Sequence, residues 1–280
     1  MNSKIGIIGA GNMGEAIAGA LIRSGAVNAG DITLADVDDR RLEHLKTLYG
    51  VSTTVDNAKL FSDARVVVLA VKPQVMNQVL DGLIEHRDYR DNDRKLVISI
   101  AAGIRIRQLE ERLYAHLDEP TRTRLPIIRV MPNTPALVLE GMSGMSPNRF
   151  ATDEDMQQAR RILEAMGAVM EFEETQLDAV TAMSGSGPAY LFYLAEAMIE
   201  AGLRLGFTEG ESTALTMGTL KGAVRLMEDR REPPESLRQK VTSPGGTTAA
   251  AIGVLEERNV LMHIVEAILA ARQRSIELST

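Results

Sequence analysis

The chain has 280 residues, of which 45% are hydrophobic and 25% charged, with a formal net charge of −7 and no cysteine. The composition is that of an ordinary globular protein, and the lack of cysteine excludes disulfides, thiolate metal sites and a cysteine nucleophile. The acidic balance argues against a nucleic-acid partner, because phosphate contacts need a basic surface. We expect no membrane association, no signal peptide and a cytoplasmic location, since no apolar run could span a bilayer and a strand begins almost at once.

A short apolar strand followed by three glycines opens the chain. Gly9, Gly11 and Gly14 have the spacing G-x-G-x-x-G, and a helical pattern follows them. In dinucleotide-binding proteins the first glycine permits the tight turn, the second lets backbone approach a pyrophosphate, and the third lets the helix pack on the strand. The exposed amide groups at the helix start, together with the helix dipole, attract phosphate. An ordinary strand-to-helix turn is the alternative, but this context favours dinucleotide binding.

The chain then alternates between short apolar strands and amphipathic helices. Strands are predicted at 32–35, 51–54, 66–70, 96–100, 127–130, 141–146 (at a sheet edge) and 168–172, and helices at 15–24, 39–49, 75–83, 105–117 and 152–166. This alternation predicts an α/β fold with a Rossmann-type, doubly wound parallel sheet over residues 1–172. In such sheets, ligands bind outside the carboxyl ends of the strands.

The segments that follow the strands break the apolar pattern and are expected to line one cleft. They are the glycine turn, Asp36, 70–73, 101–103 and 131–135. A carboxylate at Asp36 would bind the free ribose 2′-hydroxyl of NADH and repel the 2′-phosphate of NADPH. Arg40 and Arg41 could offset that repulsion, or they form a solvated helix face. Lys72 lies beside the expected nicotinamide, although a lysine at the rim of a helix start is the simpler interpretation.

From about residue 173 the chain is predicted to be all-helical. Helices are expected at 188–205, 208–227, 233–241, 247–258 and 262–278. They are apolar around more than one face, which a small domain cannot bury alone. We therefore predict an all-α domain at 173–280 that forms a homodimer.

Two stretches of this half, 184–190 and 241–248, are rich in glycine, serine and threonine. In the second, the backbone amides of Gly245, Gly246, Thr247 and Thr248 precede a helix and should converge on a carboxylate. Thr248 adds a hydroxyl. A helix connection capped by threonine accounts for the same residues, so both interpretations stay open. We expect no metal site, because no pair of histidines has the spacing of metal ligands.

The β-hydroxyacid dehydrogenases share the glycine turn and the helical second half. They carry a lysine four residues after the last glycine of a G-x-G stretch and an asparagine four residues beyond that. Counting from Gly187, these positions are Leu191 and Ala195 in this chain. The acid–base pair is absent, and this interpretation is rejected.

Six segments, spread over nearly the whole chain, carry the motifs of one family in that family's order. They are I-G-A-G-N-M-G at 8–14, A-V-K-P at 70–73, S-I-A-A-G at 99–103, M-P-N-T-P at 131–135, S-G-S-G-P-A-Y at 184–190 and S-P-G-G-T-T at 243–248. With them the chain resembles pyrroline-5-carboxylate reductase. The resemblance implies reduction of the cyclic imine 1-pyrroline-5-carboxylate to L-proline, the last step of proline biosynthesis, with hydride from NADPH or NADH.

The resemblance also implies roles for individual residues. The loop at 243–248 would hold the substrate carboxylate, and Thr248 would act in catalysis by contacting the ring nitrogen. The implied substrate-binding residues are Ser243, Gly245, Gly246, Thr247 and Thr248, and the implied cofactor-binding residues are Gly9, Gly11, Asn12, Met13, Gly14, Asp36, Asn57, Ala70, Val71, Lys72, Pro73, Ala102 and Gly103. Family members dimerise through their C-terminal helices and often assemble into decamers. A dimer of this chain would let the helical loop of one protomer complete the cofactor cleft of its partner.

Asp36 departs from many family members, which carry a small, polar or basic residue after the second strand, suited to NADPH. We therefore predict that NADH is used at least as well as NADPH. Asn57 matches a family position that contacts the adenosine ribose. Two alternatives remain: a reductase of a related cyclic imine carboxylate, and a non-catalytic dinucleotide-sensing regulator, against which the intact loop at 243–248 argues.

Overall fold

A computed structural model describes residues 4–86, 89 and 93–279 of the chain. It contains two compact units: the first comprises the residues up to Ser186 together with those from Ala271 onward, and the second comprises Gly187–Ala270. The domain boundary between residues 172 and 173 stays a prediction. Across the residues described, no helix is long and apolar enough to cross a membrane.

The first unit is built on one sheet. Its strands are β1 (Ile5–Ile8), β2 (Ile32–Ala35), β3 (Ser52–Thr54), β4 (Val66–Leu69), β5 (Leu96–Ser99), β6 (Ile127–Met131), β7 (Gly141–Pro147) and β8 (Gly167–Glu171). The strand order is β3-β2-β1-β4-β5-β6-β7-β8, and every neighbouring pair is parallel except β6 and β7. The predicted Rossmann-type sheet is confirmed, with one antiparallel pair added.

The segment predicted as an edge strand lies inside the sheet. β7 pairs with β6 on one side and with β8 on the other, so the edge is β8. The prediction was wrong because glycines and serines are typical of a weakly packed outer strand. In β7 these small residues instead allow neighbouring side chains to pack closely against the strand. A Cβ on Gly144 would lie 2.9 Å from Cγ1 of Val180 and 3.1 Å from the ring of Phe172. Ser143 and Ser146 are buried.

Helices cover both faces of the sheet. They are α1 (Asn12–Arg23), α2 (Asp39–Tyr49), α3 (Asn57–Asp63), α4 (Pro73–Ile84), α5 (Ile106–Leu113), α6 (Glu119–Arg122), α7 (Asp153–Glu164) and α8 (Leu177–Val180). Side chains of β1 alternate between two cores: Ile5 and Ile7 pack with α1, α2 and α7, whereas Ile8 packs with α3, α4 and α5. The period of two residues along each strand thus builds a core on each side.

Local sequence sets both ends of α2 and the start of α7, whereas α7 ends at Glu164 and not at the predicted residue 166. The Asp38 carboxylate accepts hydrogen bonds from the first amides of α2, and Gly50, with φ of 72°, ends that helix. Thr152 and Asp155 form a capping box at the start of α7. These contacts satisfy amides that have no partner inside the helix, which fixes where each helix begins.

The second unit is all-helical, as predicted. It contains α9 (Gly187–Arg204), α10 (Glu209–Arg230), α11 (Pro234–Lys240), α12 (Thr247–Glu257) and the first part of α13 (Val260–Leu278). α9 and α10 approach closely at Gly202, where a Cβ would collide with Ser212. Within 187–270, no large aliphatic or aromatic side chain is buried, and Phe192, Tyr193 and Leu205 are 62%, 76% and 77% exposed. A single copy of this unit therefore has no hydrophobic core.

Candidate active site

The glycine turn lies where the strand order reverses. β1 has β2 on one side and β4 on the other. Main-chain hydrogen bonds extend the sheet by one residue: the Gly9 amide donates to the Ala35 carbonyl at 2.8 Å, and the Ala70 amide donates to the Ile8 carbonyl at 2.8 Å. Gly9 and Ala70 therefore lie side by side at the carboxyl edge, in the crevice where open α/β sheets bind ligands.

The conformation of this turn accounts for its glycines. Gly9 has φ of 103°, and a Cβ on it would lie 2.7 Å from the Ala70 carbonyl group. A Cβ on Gly14 would collide with the carbonyl oxygen of Gly9. A Cβ on Gly11, in contrast, would have no atom within 4 Å. The turn is thus tightly packed at Gly9 and Gly14 and open at Gly11.

The first amides of α1 are available to a ligand. The N-cap residue is Gly11, which has no side chain that could accept a hydrogen bond from the first amides of the helix. The Glu15 amide donates to the Gly11 carbonyl at 2.9 Å. The amides of Asn12 and Met13 have no hydrogen-bond partner among the described residues. Unpartnered amides at the positive end of a helix, next to open space, fit a phosphate group.

The carboxylate of Asp36 is hydrogen bonded to two backbone amides. Its Oδ2 accepts from the Ala10 amide at 2.7 Å, and its Oδ1 accepts from the Asp38 amide at 3.1 Å. The bond with Ala10 joins the end of β2 to the glycine turn, and the side chain stays partly exposed. Each carboxylate oxygen has a second lone pair, so Asp36 can still accept a hydrogen bond from a ribose hydroxyl.

The two arginines that follow Asp36 have different surroundings. Arg41 donates from Nε to the Ala10 carbonyl at 2.9 Å, and its guanidinium group forms an ion pair with Glu15. The side chain of Arg40 is exposed. The expectation of a solvated helix face therefore holds for Arg40 but is wrong for Arg41, whose partners come from the glycine turn and α1.

The other predicted cofactor residues lie beyond neighbouring strands. They are Ala70, Val71, Lys72 and Pro73 after β4, Ala102 and Gly103 after β5, and Asn57 at the start of α3 after β3. Lys72 is the N-cap residue of α4, is exposed, and makes no capping hydrogen bond with its side chain. This position agrees with the simpler interpretation of Lys72 as a lysine at the rim of a helix start.

Asn133 is a polar residue of the first unit for which the sequence alone predicts no individual role. Its Nδ2 donates to the carbonyl and hydroxyl oxygens of Ser184 at 3.3 Å and 3.2 Å, and its Oδ1 accepts from the Met142 amide at 2.9 Å. Ser184 belongs to a π-helical turn, Thr181–Gly185, of a kind frequent at functional sites. Asn133 thus joins the motif at 131–135 to the motif at 184–190. Its position within the motif at 131–135 was the sequence feature that could have indicated a role.

In the second unit, the segment 243–248 forms a turn that leads into α12. Gly245 has φ of 72°, and α12 begins at Thr247. The Gly246 amide donates to the Ser243 carbonyl at 3.0 Å, so it has a partner within the turn, and the predicted role of Gly246 in substrate binding stays a prediction. The amides of Thr247 and Thr248 have no hydrogen-bond partner within the described part of the chain. Thr248 is half-buried, and Ser243 is exposed.

The structure thus gathers the predicted cofactor residues at the carboxyl edge of the sheet in the first unit. It places the predicted substrate residues on one turn of the second unit. In residues 4–86, 89 and 93–279, no group of three or more histidine, aspartate or glutamate side chains could hold a metal ion.

Comparisons with known proteins assign the chain to a family. Residues 174–278 match the family model for pyrroline-5-carboxylate reductase dimerisation, and residues 4–103 match that for coenzyme F420-dependent NADP oxidoreductases. The pyrroline-5-carboxylate reductase of Corynebacterium melassecola is 39% identical over 276 residues, which cover 99% of this chain and 98% of that protein. The chain belongs to the pyrroline-5-carboxylate reductase family. The Escherichia coli K12 reductase is 35% identical, with 100% of this chain and 99% of that protein covered.

Solved structures of pyrroline-5-carboxylate reductases have the same fold over their full length. The Coxiella burnetii reductase is 37% identical with a TM-score of 0.88, and the match covers 100% of both chains. The Plasmodium falciparum pyrroline carboxylate reductase, solved with NADP bound, is 29% identical with a TM-score of 0.87 and covers 100% of this chain and 99% of its own. The predicted order of a dinucleotide-binding sheet followed by a helical domain is therefore that of the family.

Proposed function

We propose that this chain reduces 1-pyrroline-5-carboxylate to L-proline, the last step of proline biosynthesis, with NADPH or NADH as hydride donor. One observation carries the proposal: a reductase named for this substrate is 39% identical to this chain over 99% of its length. The turn at 243–248 supports it, because this turn presents two unpartnered amides and a hydroxyl at the start of a helix.

The residues at the carboxyl edge of the sheet fit a nicotinamide dinucleotide. The open space at Gly11 and the unpartnered amides of Asn12 and Met13 suit a pyrophosphate, and Asp36 suits a ribose hydroxyl. The segments after β4 and β5 lie on the other side of the switch point, where the nicotinamide half would bind. When bound, the dinucleotide supplies a hydride.

Support for the two cofactors comes from different observations. The match of residues 4–103 to an NADP oxidoreductase family, and the NADP bound to the Plasmodium relative, support NADPH. The carboxylate of Asp36 supports NADH, since it would repel a 2′-phosphate. We propose that both are accepted and that NADH is used at least as well as NADPH.

The chain's own contribution to the reaction is to hold and orient a small imine. The amides of Thr247 and Thr248, at the positive end of α12, would bind the substrate carboxylate, and the Thr248 hydroxyl would hydrogen bond to the ring nitrogen. The imine is most electrophilic when protonated, and it can take that proton from solvent. No histidine or carboxylate acid is then required, because alignment of two small reactants can itself lower the barrier substantially.

The exposed apolar side chains of 187–270 and the match to a dimerisation family support a homodimer through this helical unit. We propose that five dimers assemble into a decamer, and that the turn at 243–248 of one protomer completes the cofactor cleft of its partner. Light scattering on the purified protein, coupled to size exclusion, tests the assembly. We also propose a cytoplasmic location, which cell fractionation tests.

One assay tests the function. Purified protein is incubated with 1-pyrroline-5-carboxylate, and oxidation of NADH and of NADPH is followed separately by absorbance. We expect proline to form with both, with kcat/KM for NADH at least equal to that for NADPH. Turnover of only a six-membered imine carboxylate would move the proposal to a related substrate. Binding of dinucleotide without turnover of any imine would favour the regulator.

A further inference from the structure

The contacts of Glu15 with α2 point to a role in cofactor preference. We propose that Glu15 is a positioning residue that lowers the preference for NADPH by holding Arg41 away from the ribose 2′ position. This inference rests on the proposed use of a nicotinamide dinucleotide, and it concerns which of the two dinucleotides the site favours. Glu15 acts through Arg41 and is not proposed to touch the cofactor.

Arg41 is held by two groups of the glycine turn and α1. Its Nε donates to the Ala10 carbonyl at 2.9 Å, and a terminal nitrogen pairs with Glu15 Oε2. The exposed fractions of the two side chains are 28% and 22%, so the pair is screened less than a fully exposed pair would be. The guanidinium group of Arg41 therefore pairs with Glu15 on α1. It does not extend into the solvent next to Asp36.

Glu15 is in turn fixed from its other side. Its Oε1 accepts a hydrogen bond from the Tyr49 hydroxyl at 3.2 Å. Gly19, one helical turn further along α1, makes room for this hydroxyl, because a Cβ on Gly19 would lie 2.9 Å from it. A carboxylate that is bound by a tyrosine hydroxyl and an arginine has little freedom to release the arginine.

The remaining groups of the β2–α2 turn disfavour a phosphate. Asp36 lies where the ribose hydroxyls of the proposed dinucleotide would bind, and the Asp38 carboxylate accepts hydrogen bonds from the Arg40 and Arg41 amides. The positive end of α2 is thus already occupied by a carboxylate. Because Arg41 pairs with Glu15, the exposed Arg40 is the arginine of this turn that could offset the repulsion between a 2′-phosphate and the carboxylates of Asp36 and Asp38.

Binding measurements on the full-length protein test this role. The dissociation constants of NADPH and NADH are measured by calorimetry for the wild type, Glu15→Gln and Glu43→Gln. Glu43→Gln is the matched control, since it removes the same charge from an exposed carboxylate that contacts Lys46 at 3.9 Å. We expect Glu15→Gln to shift the NADPH-to-NADH affinity ratio toward NADPH by at least about fivefold, and Glu43→Gln to leave it within about twofold. An equal shift in both variants would overturn the proposal, because it would be a net-charge effect.

Arg41→Gln tests the same proposal, and its effect as a single substitution does not depend on the folding of Glu15→Gln. If Arg41 is held away, Arg41→Gln leaves the wild-type affinity ratio within about twofold and removes the shift that Glu15→Gln produces. A loss of about tenfold or more in NADPH affinity alone would show that Arg41 already contacts the 2′-phosphate, which contradicts the proposal. If the wild type binds neither dinucleotide, the proposed function fails; if it binds both and Glu15→Gln shifts nothing, the inference alone fails.

Discussion

The two units of this chain bury their apolar side chains in different ways. The sheet unit has a core on each face, and every residue of β1 and β4 is buried. The helical unit contributes no buried large aliphatic or aromatic side chain from 187–270, although its helices are as regular as those of the other unit. Regular helices therefore do not imply a core within one chain. The sheet unit buries apolar side chains within one chain, whereas the helical unit needs a second copy to bury its surface.

The largest expected effect is a loss of dimer affinity, caused by a charge placed on the apolar surface of the helical unit. In Phe192→Asp, a side chain that is 62% exposed in one chain becomes charged where we expect the partner to cover it. Burial of a phenylalanine contributes about 2–3 kcal/mol, and a homodimer loses it in both protomers, so dimer affinity should fall at least about 100-fold. Light scattering across a dilution series measures this change.

The control for this prediction is Leu48→Asp on α2 of the sheet unit, where the leucine is 54% exposed. This variant should keep the wild-type assembly. A Phe192→Asp protein that remains a dimer at nanomolar concentration would contradict the expectation that the partner covers Phe192.

Two alanine substitutions in the glycine turn separate the packing of the sheet unit from its ligand site. Gly14→Ala places a methyl group against the Gly9 carbonyl, and overpacking of this kind should lower the free energy of unfolding by about 3 kcal/mol. Gly11→Ala meets no atom within 4 Å, so its melting temperature should stay within about 1 °C of the wild type. Its affinity for NADH should nevertheless fall at least about tenfold, because the methyl group enters the space proposed for the pyrophosphate.

Thermal unfolding followed by circular dichroism and calorimetric titration with NADH measure the two effects. Gly30→Ala, where a Cβ also meets no atom within 4 Å, is the control and should change neither quantity. Unchanged NADH affinity in Gly11→Ala would remove this turn from the proposed cofactor site.

A third prediction concerns what the helical unit adds to the reaction. Thr248→Ala should lower kcat about 10- to 100-fold, since a hydrogen bond to a charged group contributes about 1.5–3 kcal/mol. The dissociation constant of NADH should stay within about twofold, because the proposed cofactor residues are in the sheet unit. Steady-state kinetics and calorimetry measure these two quantities.

Thr248→Ser retains the hydroxyl and should recover most of the activity. If Thr248→Ser is as slow as Thr248→Ala, the threonine acts through packing, and its proposed contact with the ring nitrogen is wrong. Together these variants would assign the cofactor to one unit and the substrate to the other.

Features that depend on local sequence were predictable. The helix starts at Asp39 and Asp153 follow directly from capping residues, and the glycine turn follows from the conformation that Gly9 must adopt. Continuous apolar runs such as β4 indicated strands covered on both faces. Each of these features is decided by residues within one or two turns of each other, which is the range over which sequence patterns act.

Features that depend on distant residues were not predictable. The position of β7 inside the sheet depends on contacts of Gly144 with Phe172 and Val180. The ion pair of Arg41 joins residues 26 positions apart, and the hydrogen bonds of Asn133 to Ser184 join residues 51 positions apart. A sequence pattern shows that such side chains are polar or small, but tertiary packing decides which partners they find.

The smallest expected effect is a change in the pH dependence of the free energy of unfolding. It arises from Lys95, an ionisable residue buried in the core of the sheet unit. Lys95 is 3% exposed, with its ammonium group 3.4 Å from the Ser62 carbonyl oxygen and 5.1 Å from the centre of the Phe61 ring. Burial, assisted by the nearby Arg65, lowers the pKa of Lys95 to about 8. The unfolded chain, in which the lysine pKa is near its ordinary value, then binds more protons than the folded chain above pH 8, so the free energy of unfolding must rise with pH.

We expect this rise to be about 1 kcal/mol between pH 7 and pH 9, and to be absent in Lys95→Met. Urea unfolding at fixed protein concentration, followed by circular dichroism because the chain has no tryptophan, measures it. Lys59→Met, at an exposed lysine of α3, should keep the wild-type pH dependence. Parallel pH profiles for the wild type and Lys95→Met would show that Lys95 is charged in the folded protein up to the same pH as in the unfolded chain, and that the core of the sheet unit tolerates this ammonium group without cost.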